Sequence, residues 1–332
     1  MAEESKFSFN YLNVGQGSLQ LIEEGDTTNI VIDCNLKGAD EFVARYFGRR
    51  KVGQIDLLIL SGKDADHSDA DGLRSLKKRY DIKRLWHSDY EKAEETENWK
   101  EVQKIIDELE ASGTIVEVPK AGHEYKLGSF ELKVLSPHDD DSTSCNNASI
   151  VVRILAGKVS ALFPGDCELD RWKNVTKYFS KYLPSNLLLI PHHGSSNGCD
   201  EDLLEAISPE YSVISAGEDN QYGHPDKEVL EAAIAHTQND VYITHEQGSI
   251  LFESDGETIT KVVLDAGQDE DGKKAERIAG ALMKKAPVFV SSRGVLGVSG
   301  LTSAARLRPT VSHGGDSADS EDTEVDRRTP RG

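Results

Sequence analysis

Short apolar runs, each closing on a polar or glycine-bearing turn, recur along most of this chain. Residues 7–14 alternate roughly between apolar and polar and predict a strand that ends in Gly15-Gln16-Gly17-Ser18. Residues 18–22 and 29–32 predict a strand pair joined at Glu24-Gly25-Asp26 and leading into Asp33-Cys34-Asn35. Residues 39–49 read as an amphipathic helix. Residues 55–60 read as a buried strand, since Leu57, Leu58, Ile59 and Leu60 form an unbroken apolar run. A strand follows at 82–86, then a charged, periodic helix over 91–111 stopped by Ser112-Gly113. Strands are expected at 114–118 and 130–135.

The second half repeats this style. Strands at 149–155 and 159–163 are joined through Ala156-Gly157-Lys158 and end in Pro164-Gly165-Asp166. A helix over 168–180 precedes a buried strand at 186–190, which runs into Pro191-His192-His193-Gly194-Ser195-Ser196. A strand at 211–215, a helix at 226–236 and strands at 241–244, 249–252 and 258–263 complete the β-rich part. Two sets of strands, each followed by helices, predict two sheets packed face to face with helices outside. The division expected is one domain over 1–266, a short extension over 267–300 with a helix at 273–285 and a strand at 288–291, and a disordered tail over 301–332 that lacks periodic apolar positions.

Composition narrows the function classes. At 332 residues with 37% hydrophobic and 29% charged positions, the chain suits a soluble globular protein with a sizeable core. No run approaches the ~20 apolar residues that span a bilayer, and the first residues, MAEESKFSFN, lack the apolar stretch of a signal peptide, so a cytoplasmic location without membrane partners is expected. Cys34, Cys145, Cys167 and Cys199 are far apart and form no CxxC pair, which argues against a zinc ribbon and against disulfides. The net charge of −20 disfavours broad binding to duplex nucleic acid, although bound cations neutralise phosphate locally in a nuclease.

The candidate chemistry collects at strand ends. Asp64, Asp66 and His67 follow the run Leu57 to Leu60; Asp166, the pair His192/His193, and His224 each follow another predicted strand. Loops held at the ends of a rigid sheet are where sites are built. Each loop also has an ordinary reading, as a turn, a helix cap or a surface imidazole. Four of the ten histidines falling in these loops makes four idle loops the poorer account. Carboxylates with imidazoles form a donor set suited to Zn²⁺, Mn²⁺ or Fe. Gly15-Gln16-Gly17-Ser18 reads better as a hairpin turn than as an anion cradle. Asp33 reads either as a turn cap or as a residue orienting a metal-binding histidine. His87 and His123 fall outside these loops and read as ordinary.

These residues resemble a known family, the metallo-β-lactamase fold, and within it the hydrolase domain of the ComEC competence proteins. The matching pieces are NVGQGS at 13–18, VID at 31–33, LSGKDADH at 60–67, NNAS at 146–149, FPGD at 163–166, IPHHGSS at 190–196, SAGEDNQYGHP at 215–225 and THEQGSI at 244–250, in the family's order over about residues 7–254. The resemblance implies an αββα sandwich with a metal site between the sheet ends. It implies one or two Zn²⁺ or Mn²⁺ ions, with Asp64, Asp66, His67, Asp166, His192, His193 and His224 as metal ligands. Asp66, His67 and Asp166 are the implied catalytic groups, Asp66 orienting the attacking water and Asp166 bridging two metals. Asn147, Ser149, Gly194, Ser195 and Tyr222 are the implied substrate contacts, with Ser196 as a further donor.

One position departs from the pattern. The ComEC-type motif reads H-x-D-x-D-H, and here its first position is Gly62. One metal held well and a second weakly, or a different use of a neighbour such as Lys63 or Asp69, is expected, and a metal-poor binding module of the same fold is the alternative. The function expected is metal-dependent hydrolysis of a phosphodiester in nucleic acid or a nucleotide, by the chain alone or beside a protein partner. A hydrolase of a small ester or lactone is the other alternative.

Overall fold

The computed structural model describes residues 6–88, 95–138 and 144–265. The expected extension and tail, with His313, lie outside the described residues. In chain order the elements are β1 (Phe7–Tyr11), β2 (Gln20–Glu24), β3 (Thr28–Ile32), α1 (Asp40–Arg49), β4 (Gln54–Ile55), β5 (Leu57–Leu60), α2 (Ala70–Arg79), β6 (Asp81–Ile82), β7 (Arg84–His87) and α3 (Glu97–Ala111). There follow β8 (Ile115–Glu117), β9 (Glu124–Leu127), β10 (Phe130–Ser136), β11 (Val151–Ala156), β12 (Val159–Phe163), α4 (Leu169–Phe179) and β13 (Leu187–Leu189). The chain continues through α5 (Glu201–Ile207), β14 (Tyr211–Ile214), α6 (Lys227–His236), β15 (Val241–Ile243), the single turn α7 (Thr244–Gln247), β16 (Ser249–Ser254) and β17 (Ile259–Asp265).

Eight strands pair in the order β17-β16-β1-β2-β3-β5-β7-β8, and seven pair as β15-β14-β13-β12-β11-β10-β9; β4 and β6 form a small separate pair. The inner faces meet. Phe7, Phe9, Ile22, Ile30 and Ile59 of the first sheet pack in one buried cluster with Phe130, Val134, Val152, Ala161 and Phe163 of the second. On the outer face of the first sheet Val31, Leu58 and Leu85 pack with Val43 and Phe47 of α1, Leu73 and Leu76 of α2 and Val102 of α3. On the outer face of the second, Leu162, Leu188 and Ile214 pack with Trp172 and Val175 of α4, Leu204 of α5 and Val229 of α6. The strands β3, β5, β12 and β13 are buried on both faces, as strands with parallel, helix-connected partners are covered twice. This is the αββα sandwich that the resemblance implies.

The structure sharpens several boundaries. The first strand stops at Tyr11 rather than at residue 14. The helix expected over 91–111 begins at Glu97, where the Thr96 hydroxyl accepts from the Trp99 amide at 3.2 Å and caps the first turn. Residues 91–94 of that expectation lie outside the described residues. β9 was not anticipated: its four residues carry too short an alternation to stand out, and pairing with β10 stabilises it. Among the described residues, no helix is long and apolar enough to cross a membrane.

Candidate metal centre

β3, β5, β12, β13 and β14 all have parallel partners, so their C-terminal ends release their loops along one edge of the sandwich. The loops bond to one another across the sheets. The Ile150 amide donates to the Ser61 carbonyl at 2.8 Å, and the Ser215 hydroxyl donates to the Gly17 carbonyl at 2.7 Å. Between them opens a cleft of about 1390 Å³, whose lining includes Asp64, Asp66, Asp166, His192, His193, Tyr222 and His224.

Ligand atoms of Asp66, His67, Asp166 and His193 all lie within 4.8 Å of one another, and of the four residues only Asp66 is not buried. His67 stands at the centre. Its Nδ1 is 2.7 Å from Asp33 Oδ2 and its Nε2 is 2.8 Å from Asp166 Oδ1. Burial alone would lower the imidazole's pKa, but the Asp166 and Asp33 carboxylates outweigh it and hold His67 well above its ordinary value. Asp166 shows the complementary effect: burial would raise it, yet the His67 and His193 imidazoles hold its carboxyl well below the usual range. Asp66 is likewise lowered; burial works against this, and His193 and His67 prevail.

The second imidazole is fixed by a carbonyl. His193 Nδ1 lies 2.7 Å from the Ser215 carbonyl, which can only accept, so this nitrogen carries the proton and Nε2 faces the carboxylates. That Nε2 is 3.5 Å from Asp66 Oδ2 and 3.7 Å from Asp166 Oδ1, and it is buried without a hydrogen-bond partner. His192 and His193 both adopt left-handed backbone, with φ of 50° and 53°. Such strain costs roughly 1–3 kcal/mol per residue and persists where the surroundings enforce it. Here the His192 amide is held by the Gly165 carbonyl at 3.0 Å. Two carboxylates and two imidazoles converging on one buried point, with an orphaned ring nitrogen, fit a divalent cation of the Zn²⁺, Mn²⁺ or Fe class.

The other expected residues separate into groups. Asp64, His192 and His224 line the same cleft but stand outside the four-residue cluster. His192 Nε2 is 3.9 Å from Asp166 Oδ2, and His224 Nδ1 is 3.6 Å from Asp226 Oδ1. Tyr222 is 56% exposed, its ring 5.8 Å from that of His224 and nearly parallel at 13°. Asn147, Ser149, Gly194 and Ser195, expected as substrate contacts, do not line the cleft. Their polar atoms bond within and between the loops. The Ser149 hydroxyl accepts from the Asp166 amide at 3.2 Å, and Asn147 Oδ1 accepts from the Glu168 amide at 3.2 Å. The Ser195 hydroxyl accepts from the Asn197 amide at 3.3 Å, and the Gly194 carbonyl accepts from the Asp226 amide at 2.9 Å. The Ser196 amide donates to Asp226 Oδ2 at 2.8 Å.

Lys63 and Asp69 also stand outside the four-residue cluster. Lys63 is buried with its ammonium 3.2 Å from Glu95 and 4.8 Å above the Trp99 ring. Asp69 caps α2 by accepting from the Gly72 amide at 2.7 Å. Asp33 contacts His67, as its orienting reading expects, and it also accepts from the Ser61 amide and hydroxyl at 2.8 and 3.0 Å, as its capping reading expects. Ser61 and Ser215 escaped the sequence reading, although each directly follows an apolar strand run. The Gly15-Gln16-Gly17 loop joins two antiparallel strands, as expected of a turn, and Gly15 and Gln16 also line the cleft.

No protein-family model matches the chain. It is 29% identical over 207 residues to ComE operon protein 3 of Bacillus subtilis, an alignment covering 62% of this chain and 26% of that protein. It is 30% identical over 116 residues to competence protein ComA of Neisseria gonorrhoeae, covering 35% and 17% of the two chains. The alignments thus span about a quarter or less of these curated relatives. Among solved structures, CmlA, a diiron β-hydroxylase from Streptomyces venezuelae, superposes with a TM-score of 0.51 at 15% identity, covering 75% of this chain and 54% of that one. Igni18, a metallo hydrolase from Ignicoccus hospitalis, superposes with a TM-score of 0.50 at 14% identity, covering 74% and 99%. At these identities the structural likeness speaks to the fold.

Proposed function

We propose, for a chain that has the metallo-β-lactamase fold and resembles the ComEC proteins, that it is a metal-dependent hydrolase cleaving a phosphodiester in nucleic acid or a nucleotide. The observation that carries this reading is the convergence of Asp66, His67, Asp166 and His193 beside the cleft. These four would hold one ion, Zn²⁺ or Mn²⁺, which when bound acidifies water toward neutral pH and polarises the scissile group.

The chain's own residues supply the rest. Asp33 and Ser61 orient His67 through Nδ1, and the Ser215 carbonyl orients His193 through its own Nδ1, so both imidazoles present Nε2 to the centre. Asp66, with 24% of its side chain exposed against 9% for Asp166, is the carboxylate best placed to take a proton from a water in the cleft. His224 lines the cleft wall with its Nδ1 3.6 Å from Asp226 Oδ1, and burial lowers its pKa. Nucleic acid as the substrate class is supported by the names of the relatives, which concern competence and, at 30% identity over 111 residues of a Haemophilus influenzae protein, recombination.

A second reading has an observation of its own. Asp40, Asp64, Asp69 and Asp71 also line the cleft, and among the described residues Lys37 is the one Lys or Arg that does so. Such a wall repels polyanions and favours a small uncharged ester or lactone. The deciding experiment is elemental analysis of the purified protein beside a His67→Ala, His193→Ala double variant, followed by assays with Mn²⁺ and Zn²⁺. One equivalent of metal, lost in the variant, with cleavage of DNA or RNA supports the first reading. Turnover of small esters alone supports the second, and no metal after reconstitution overturns both.

A further inference from the structure

We propose that Gln16 is a substrate-binding residue whose side-chain nitrogen, Nε2, donates a hydrogen bond to an acceptor oxygen of the group being hydrolysed. The inference rests on reading the cleft as a hydrolytic site. Gln16 lines that cleft, yet neither the metal cluster nor the carboxylate assigned to proton transfer uses it.

The orientation of its amide follows from one contact. Gln16 Oε1 lies 3.1 Å from the Gly217 backbone amide, which can only donate. The oxygen therefore occupies that end, and Nε2, an obligate donor with two hydrogens, occupies the other. This Nε2 is buried and has no hydrogen-bond partner. A buried donor left unpaired is costly, and native structures satisfy nearly all of them.

Four of the buried unpartnered side-chain atoms among the described residues belong to residues lining this cleft: Gln16 Nε2, His192 Nδ1, His193 Nε2 and His224 Nδ1. Three are imidazole nitrogens, able to accept or donate. Gln16 alone is fixed as a donor, the complement of a phosphoryl or carbonyl oxygen.

The backbone around Gln16 is built to stay in place. Asn35 Nδ2 donates to the Gln16 carbonyl at 2.6 Å. A side chain at Gly217 would meet the Gln16 amide nitrogen at 2.7 Å, so only glycine lets the two loops close on each other there. Two residues before Gly217, Ser215 bonds the Gly17 carbonyl through its hydroxyl and His193 Nδ1 through its carbonyl. Gln16 and His193 are thus referred to the same short stretch of backbone, which gives the donor a fixed relation to the metal cluster.

Gln16→Glu tests this with little steric disturbance, because the carboxylate keeps an acceptor for the Gly217 amide while removing the donor, and the uncharged p-nitrophenyl acetate controls for the negative charge it adds. Full-length wild type and variant, loaded with Mn²⁺, would be compared for metal content, melting temperature, KM and kcat with bis(p-nitrophenyl) phosphate and with p-nitrophenyl acetate, and for binding of inorganic phosphate. The expected result is KM raised, or phosphate binding weakened, roughly tenfold or more at unchanged metal content and melting temperature. The same loss seen only with the carboxylic ester would keep Gln16 as the donor while removing the phosphodiester reading. Equal constants in the two proteins would overturn the proposal. So would a loss of metal or of thermal stability that accounts for the change, and so would a metal-loaded wild type that neither turns over nor binds any of the three probes. Gln16→Met, which lacks both the acceptor and the donor, should add a drop in melting temperature that Gln16→Glu does not show.

Discussion

Asp33 Oδ2 lies 2.7 Å from His67 Nδ1, and Asp33 itself adopts a left-handed backbone, with φ of 61°, directly after β3. A residue outside the cleft thereby sets which nitrogen of His67 faces the metal position. Asp33→Asn keeps the size but removes the charge that steadies the ring. Loss of such a supporting carboxylate weakens metal binding about 10- to 100-fold. Competition with a chromophoric chelator should show that weakening with little change in the circular dichroism spectrum, and an unchanged affinity would mean that Asp33 serves only the turn.

The same triad predicts how the metal-free protein responds to pH. His67 is raised above its ordinary 6.5, so its contribution to stability is complete below about 6.5 and is lost as pH climbs through the higher folded value. Asp166 is lowered from 3.8, so its contribution is present above that value and is lost as pH falls through the lower folded one. Metal-free protein should therefore be most stable between about pH 4 and 6.5 and lose stability toward pH 9. Bound metal replaces the proton on His67 Nε2, so metal affinity should rise over the same interval. Urea midpoints at pH 6 and pH 9, with and without Zn²⁺, should move in opposite directions; parallel movement would contradict the assignment.

Which features could be read from the sequence follows from what each depends on. The doubly buried strands β5, β12 and β13 are apolar at nearly every position, and that signal is local. The aspartates and histidines just after them are legible for the same reason. Which of those residues meet is not local. The four that converge come from three loops, and Asp64, two residues before Asp66, stays outside the cluster. Asn147 and Ser149 could be matched to a motif but not assigned a task, because their partners, Glu168 and Asp166, arrive from another loop. The contribution of Ser215 to His193 is made by a backbone carbonyl, which no side-chain pattern reveals.

Tyr11 offers a prediction about the core. Its ring packs 5.8 Å from both Phe163 and Phe252, and its hydroxyl is buried without a hydrogen-bond partner. Burial pushes its pKa far above the ordinary value of 10.0. Tyr11→Phe removes an unsatisfied polar atom and keeps the ring, so it should stabilise the protein by about 1 kcal/mol. A higher urea midpoint with an unchanged slope would show this, and a lower midpoint would mean the hydroxyl finds a partner in solution.

Gly62 is the position where the metal-binding pattern is incomplete, and the structure shows there is room to complete it. A Cβ at this position would meet Ser149 Oγ at 3.7 Å and His67 Cγ at 3.9 Å, both ordinary contacts, and the backbone there lies outside the left-handed region. Nothing local therefore demands glycine. A histidine at 62 would project from the first residues after β5, beside His67. The wild type has one cluster of four donors among the described residues, so one equivalent of metal is expected. Gly62→His should retain the fold and bind a second equivalent, because it adds an imidazole beside the existing carboxylates and imidazoles of the loops. Metal analysis under native conditions reads this directly, without reference to activity. A folded variant that still binds one equivalent would mean that the second position is missing more than this histidine.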